Sequence, residues 1–223
     1  MSADPPWRYV PPPRVRPRRF ARAVAWSAEL TAGHVSGDGA PVLARPLGVA
    51  ALVLEHGGTE AEAIAALLHD AIEDAGIELD EVRERFGATV ARVVEGCAVP
   101  PPRKGKRRRS RADAATNSWW KHVRRRVRHL ADASTSESVL RVTAADLLWR
   151  ARSLTSELRR HGPETWAMLH AGATDQLWYY RSSSNIVSRR LPGRLADELR
   201  VAVGELERVA AWWFDVGDPQ DGA

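Results

Sequence analysis

The sequence predicts an all-α chain built around one helical domain, and three observations predict it. Apolar residues recur at three- and four-residue spacings along most of the stretch from Phe20 to Phe214. Sustained apolar–polar alternation, the mark of a half-buried strand, is absent. Helix start and stop signals such as Pro46, Gly57-Gly58 and Thr59 punctuate the periodic segments.

The elements follow in order. Residues 1–19 carry prolines at 5, 6, 11, 12, 13 and 17 among five arginines. That density blocks helices and strand ladders, so a disordered Pro/Arg-rich arm is expected. Helical spacing begins at Phe20, passes through Val24 and Ala28, and fades at Gly33. The glycine-containing stretch His34 to Pro41 reads as a loop. Pro46 suits the first turn of a helix carrying Val49, Leu52 and Val53 on one face, which Gly57 and Gly58 end. Thr59 is an expected N-cap with Glu62 as its capping-box partner, opening a central helix over residues 60–74. Two short amphipathic helices are expected over 79–86 and 89–95. Residues 100–118 read as an inserted basic mobile loop, and three or four further helices run from Trp119 to Phe214. Residues 20–214 form the expected domain and 215–223 a disordered tail.

Composition narrows the class. At 223 residues and 44% apolar content, a domain of this size can bury a sizeable core. No uncharged apolar run, Ala63 to Leu68 included, is long enough to span a bilayer. The N-terminal stretch lacks the apolar core of a secretory signal. A single cysteine, Cys97, fits a reducing cytoplasm.

The chemistry concentrates in His69-Asp70-x-x-Glu73-Asp74 on the central helix. A spacing of four sets Glu73 over His69 and Asp74 over Asp70. One imidazole and three carboxylates on a buried helix call for a cation or an arginine. Imidazole beside carboxylate ligates divalent metals such as manganese, iron or zinc. The remaining pair, Glu73 and Asp74, could activate water and protonate a leaving group. The plainer reading is a solvated helix end, against which Leu67, Leu68, Ala71 and Ile72 interleave with the charges.

The segment from Ala65 to Asp74, AALLHDAIED, resembles the ALLHDxxED motif of the RelA/SpoT-type HD hydrolases. Phe86-Gly87-x-x-Val90 and Val93-Val94-Glu95-Gly96 resemble that family's FGxxVxxxVxG pair. Ala144-Ala145-Asp146-Leu147-Leu148 resembles its LADxLHN motif, and Gly39 to Ala50 resembles GxPYxxHPxxVA. Asp175 to Tyr180, DQLWYY, is similar to a small stand-alone branch. The resemblance covers roughly residues 20–210. It implies an HD-domain helical bundle around one divalent metal, with manganese foremost, held by His69, Asp70 and Asp146. It further implies a cytoplasmic, metal-dependent phosphohydrolase that removes the 3′-pyrophosphate of (p)ppGpp in the stringent response.

The departures gather at the same place. Arg45 stands where the family has its first metal-binding histidine, and Trp149 and Arg150 stand in place of the His-Asn after Asp146. Thr31, Ser36 and Gly37 replace the family's loop His and nucleotide-holding Arg-Lys. Arginine stays protonated in proteins and has no lone pair for a cation. Arg45 therefore argues for a metal-free cluster in which Arg45 and Arg150 pair with Asp70, Asp146, Glu73 or Asp74, unless His34 swings in as a substitute ligand. Paired guanidinium forks at Arg45 and Arg150 would also suit a pyrophosphate anion.

Between Arg103 and Arg128 lie twelve Lys or Arg residues, with Trp119 and Trp120 among them. Phosphate contact and base stacking are one reading; a solvated basic segment with tryptophans packed on the next helix is the other. Trp166, Trp178, Tyr179, Trp212 and Trp213 read as core or interface residues. Three functions stand open. The first is a phosphohydrolase of nucleotide pyrophosphates with reduced or altered activity. The second is an inactive HD protein that binds anionic nucleotides or scaffolds a partner. The third is a nucleic-acid-associated protein acting through its basic segment.

Overall fold

The computed structural model describes residues 17–36, 39–98, 111–169 and 171–216. Among them the chain forms ten helices: α1 (Pro17–Leu30), α2 (Ala44–Glu55), α3 (Glu60–Leu68), α4 (Ala71–Asp74), α5 (Leu79–Cys97), α6 (Arg111–Ala131), α7 (Glu137–His161), α8 (Glu164–Ala167), α9 (Ala173–Arg190) and α10 (Arg194–Val216). The only extended pairing in the described residues is one isolated bridge between Val35 and Pro41 in the α1–α2 loop. The all-α expectation holds.

Helices α2, α3 and α7 pack against one another and carry the site. Helix α5 covers α3 and α7, α1 lies on α3, α10 runs along α7 and α9, and α6 packs on α9. Ala63 to Leu68 are nearly or fully buried, as are Leu140, Ala144, Ala145, Leu147 and Leu148 on α7. Apolar faces at this spacing remove most of their area from water, at about 25 cal/mol per Å².

The Thr59 capping box forms as expected. Thr59 N donates to Glu62 Oε2 at 2.6 Å, and Glu62 N donates to Thr59 Oγ1 at 3.3 Å. Glu62 also receives Arg141 of α7 at 3.4 Å, tying the start of α3 to the central helix.

Four expectations need correction. The single helix over 60–74 is interrupted at His69-Asp70. The cause lies in the last carbonyls of α3. His69 Nδ1 donates to Ala66 O at 2.8 Å, and Ser27 Oγ of α1 donates to Leu67 O at 3.0 Å. These are the acceptors that the amides of Asp70 and Ala71 would take in an unbroken helix. The two short helices expected over 79–86 and 89–95, by contrast, do form, as the two arms of α5 on either side of Gly87, whose φ of 80° suits glycine alone at no strain. Residues 17–19, placed in the arm, open α1 with Pro17 at its first position, where a missing N–H costs nothing. Residues 111–118, placed in the basic loop, form the first turns of α6, and Asp215, placed in the tail, lies in α10. The rest of the arm, residues 99–110 and the tail from 217 lie outside the described residues.

Candidate functional site

Three elements converge on one point. Arg45 comes from the first turn of α2, His69 and Asp70 from the break between α3 and α4, and Asp146 and Arg150 from consecutive turns of α7. His69 Nε2 lies 3.3 Å from Asp70 Oδ1 and 3.6 Å from Asp146 Oδ1. Arg45 Nε donates to Asp146 Oδ1 at 2.9 Å, and its Nη2 bonds Asp70 and lies 3.4 Å from His69 Nε2. Arg150 Nε reaches both oxygens of Asp146, at 3.2 and 3.1 Å. Asp146 is only 2% exposed, so both of its guanidinium partners are met away from bulk water.

The helix break makes this arrangement. With Nδ1 committed to Ala66 O, the His69 ring turns Nε2 toward the two carboxylates and Arg45. Burial alone would raise the carboxyl of Asp146, but Arg150, Arg45 and His69 hold it well below the ordinary carboxylate range. Asp70 is likewise lowered, by His69 and Arg45 against its burial. His69 is raised: burial and Arg45 oppose its charge, and Asp70 and Asp146 outweigh them. Arg150 is held firmly protonated against its burial by Asp146 and Asp70.

The structure thus brings five of the seven sequence-selected residues together: Arg45, His69, Asp70, Asp146 and Arg150. Glu73 and Asp74 follow on α4, and their side chains lie outside the described residues. His34 stands exposed in the α1–α2 loop, and Arg45 is the side chain that reaches the three residues it was to complete.

The implied divalent metal does not fit the residues present. Arg45 donates to Asp70 and Asp146 and sits against the Nε2 of His69, so the three would-be ligands face a cation that cannot ligate. Among the described residues, no group of three or more His, Cys, Asp or Glu side chains could hold a metal ion.

Two further residues bear on the site. Trp149 packs over α2 at Gly48, where a Cβ would collide with the indole; Gly48 is what lets α2 lie against a tryptophan here. Arg126 of α6 was hidden in the basic run. It shares the inward face of its helix with Val123 and Leu130, which are 3% and 2% exposed. Burial opposes its charge, but Tyr179, Asp146 and Asp70 outweigh that and raise its pKa, while Arg150 lowers it.

The tryptophans of the basic segment are engaged within the fold. Trp120 donates from Nε1 to Asp175 Oδ2 at 3.0 Å, and its ring lies 5.1 Å from Trp178 and 5.4 Å from Trp119. Tyr179 is buried, so it belongs to the core, and Trp212 is 54% exposed, so it does not.

Comparison with known proteins gives the family. Residues 23–176 match the HD domain family. The zebrafish guanosine-3′,5′-bis(diphosphate) 3′-pyrophosphohydrolase MESH1 is 33% identical over 137 residues, which is 60% of this chain and 64% of that protein. The human MESH1 is 43% identical over 60 residues, 26% of this chain and 34% of its own. The chain therefore spans less than two thirds of the length of these relatives. A metazoan orthologue of SpoT, described as hydrolysing ppGpp, superposes with a TM-score of 0.56 at 17% identity, over 90% of this chain and 96% of its own. A Listeria monocytogenes EGD-e protein superposes with the same score at 24% identity, over 77% and 99%. Both place the all-helical fold. The chain belongs to the HD-domain family and, within it, resembles the (p)ppGpp 3′-pyrophosphohydrolases.

Proposed function

We propose that this protein binds guanosine or adenosine polyphosphates at the Arg45–Arg150 centre and turns them over slowly or not at all. The single observation that carries this reading is Arg45, whose guanidinium meets Asp146, Asp70 and His69, the three residues that the family resemblance would make metal ligands. A reaction that needs a Lewis acid or a metal-activated water has none supplied by these residues.

Binding capacity remains. Arg45 uses Nε and Nη2 on its neighbours, and Arg150 uses Nε, so among the described residues Nη1 of Arg45 and both terminal nitrogens of Arg150 keep donors in hand. Their side chains are 23% and 38% exposed, open enough for a solvated anion to reach them. Guanidinium forks bind phosphate and pyrophosphate oxygens in pairs, without a metal. Residual hydrolysis would draw on Glu73 or Asp74 as the base. The zebrafish and human relatives are named for a reaction on a guanosine bis(diphosphate), which supports this ligand class. No helix of the described residues is long and apolar enough to cross a membrane, and we place the protein in the cytoplasm, where the buried Cys97 thiol, pushed up to about 12 by burial, stays protonated.

Thermal unfolding and calorimetry with ppGpp, GDP and inorganic pyrophosphate, each with and without manganese, test the reading. Saturation at a hundredfold over Kd stabilises the native state by about 2.7 kcal/mol. The expected result is a rise in Tm that does not depend on manganese, with turnover far below about 1 per second. Turnover at or above that ordinary enzymatic rate overturns it, as does the absence of any shift.

A further inference from the structure

A cavity of about 500 Å³ opens between α7 and α10, lined among the described residues by Arg159, Arg208, Val209, Trp212 and Trp213. Along α7, Arg159 lies about 20 Å beyond Asp146 at the helical rise of about 1.5 Å per residue, so the cavity stands apart from the centre described above. Its volume falls within the range of about 300–1,000 Å³ that small-molecule sites occupy.

The aromatic wall is fixed from behind. Leu206 and Ala210 bury the inner face of α10, which turns Arg208 and Trp212 outward. Trp213 donates from Nε1 to Leu158 O at 2.9 Å, and its six-membered ring lies against Gly162 at the end of α7, where a Cβ would stand 3.2 Å from it. Trp212 meets this anchored ring edge-on, with centroids 4.6 Å apart and planes at 73°, yet remains 54% exposed. A lone exposed tryptophan means little; one braced against a second tryptophan inside a concavity is a surface on which a flat ring can stack.

The charged wall is fixed as well. Arg159 of α7 and Arg208 of α10 meet opposite oxygens of Glu205 through their Nη2 nitrogens. One carboxylate thus holds two guanidiniums from two helices beside the tryptophans. Nε and Nη1 of both arginines have no partner among the described residues, and these are donors that an anion can take in pairs.

We infer that this cavity is a second ligand site, for a planar aromatic ring that carries an anionic group, with the ring stacked on Trp212 and the anion on Arg159 and Arg208. A carboxylate and a phosphate satisfy the guanidiniums equally. An uncharged ring or a bare anion uses only one of the two walls, so tight binding needs both parts in one molecule. The inference is independent of the polyphosphate reading, which concerns the Arg45–Arg150 centre.

Calorimetric titration of the full chain with AMP, 2-naphthoate, adenosine and orthophosphate tests it. Wild-type protein should bind AMP or 2-naphthoate at least tenfold more tightly than adenosine or orthophosphate, and which of the two it binds identifies the anion. Trp212→Leu and Arg208→Gln, both changes at exposed positions, should each lose at least fivefold for that ligand with a cooperative melt retained. Trp212→Leu should bind inorganic pyrophosphate as the wild type does, which separates this cavity from the centre. Binding that both variants leave unchanged places the ligand elsewhere and overturns the inference, as does failure to bind either AMP or 2-naphthoate. Self-association seen by sedimentation in the wild type and lost in Trp212→Leu, with neither ligand bound, gives this face to a second copy of the chain and overturns it too. The polyphosphate reading survives each of these results.

Discussion

Arginine meets carboxylate in two regions of this molecule. At the centre, Asp146 is 2% exposed and is shared by Arg45 and Arg150. Along the outer faces of α7, α9 and α10, Arg152 and Arg194 meet Glu198, Arg159 meets Glu205 and Arg181 meets Glu207; these arginines are 52–67% exposed and the carboxylates 26–28%. The outer pairs form in a medium that competes for both partners, so each adds about 0–1 kcal/mol. The inner carboxylate has lost its water and depends on its two guanidiniums. The same chemical pair is ornament in one place and a structural necessity in the other, and burial decides which.

The strongest test of that contrast is Asp146→Asn. Removing the shared charge leaves Arg45 and Arg150 without their main counter-ion, at a cost of about 3–5 kcal/mol. For a chain of this size the melting temperature should fall by roughly 6–20 °C. A fall of under about 2 °C by calorimetry would put the centre in the same class as the surface.

Arg45→His probes the centre from the other side. The substitution removes one guanidinium and restores a nitrogen donor beside His69, Asp70 and Asp146. Elemental analysis after purification without chelator should find little manganese on wild-type protein and a clear rise on Arg45→His. The variant's melting temperature should climb when manganese is added, by about 2.7 kcal/mol of stability at a hundredfold over Kd. Near-stoichiometric manganese on the wild type would show that Arg45 moves aside.

Most of this centre was legible in the sequence, because it consists of departures from a spaced motif: Arg45 and Arg150 announced themselves by standing where ligands were expected. The break between α3 and α4 was not legible. It depends on Ser27, forty residues away, capturing Leu67 O, and on the His69 ring capturing Ala66 O. Local periodicity carries no trace of a remote side chain competing for a carbonyl. Arg126 was hidden for a different reason. In a run of basic residues the helical register decides which one turns inward, and residues 111–118 were read as loop. The capping box at Thr59 was legible because both of its bonds lie within four residues.

Gly48→Ala tests how tightly the centre's scaffold is set. The added methyl meets Trp149, so α2 must shift or the indole must turn, at about 1–3 kcal/mol. Pairing it with Trp149→Phe should recover part of that loss, a coupling measurable by a double-mutant cycle in urea. Strictly additive effects would mean that α2 and α7 do not meet at this point.

Stability should also follow pH as the centre dictates. Asp70 and Asp146 have folded pKa values below the ordinary 3.8, so their contribution is present above pH 3.8 and is lost as pH falls through the folded values. His69 is raised above 6.5, so its contribution is complete below pH 6.5 and is lost as pH rises through its folded value. Thermal unfolding should therefore be most resistant between about pH 4 and 6.5, and His69→Gln should remove the loss on the alkaline side. An alkaline limb that survives in His69→Gln assigns it to another group.

The smallest expected effect completes the contrast. Glu205→Gln removes the carboxylate that Arg159 and Arg208 share on the outer face of α10, an arrangement formally like that of Asp146 between Arg45 and Arg150. Both arginines there remain largely hydrated, at 59% and 72% exposure, so each keeps its water when the carboxylate goes. The change should cost no more than about 1 kcal/mol in low salt and should vanish near 1 M salt, where the screening length falls to about 3 Å. Asp146→Asn should keep most of its effect in the same salt, because the Asp146 carboxylate is only 2% exposed and salt screens a buried pair far less than an exposed one. Measuring both variants by urea denaturation at two ionic strengths gives four numbers. If the two variants respond to salt alike, burial is not what separates the regions.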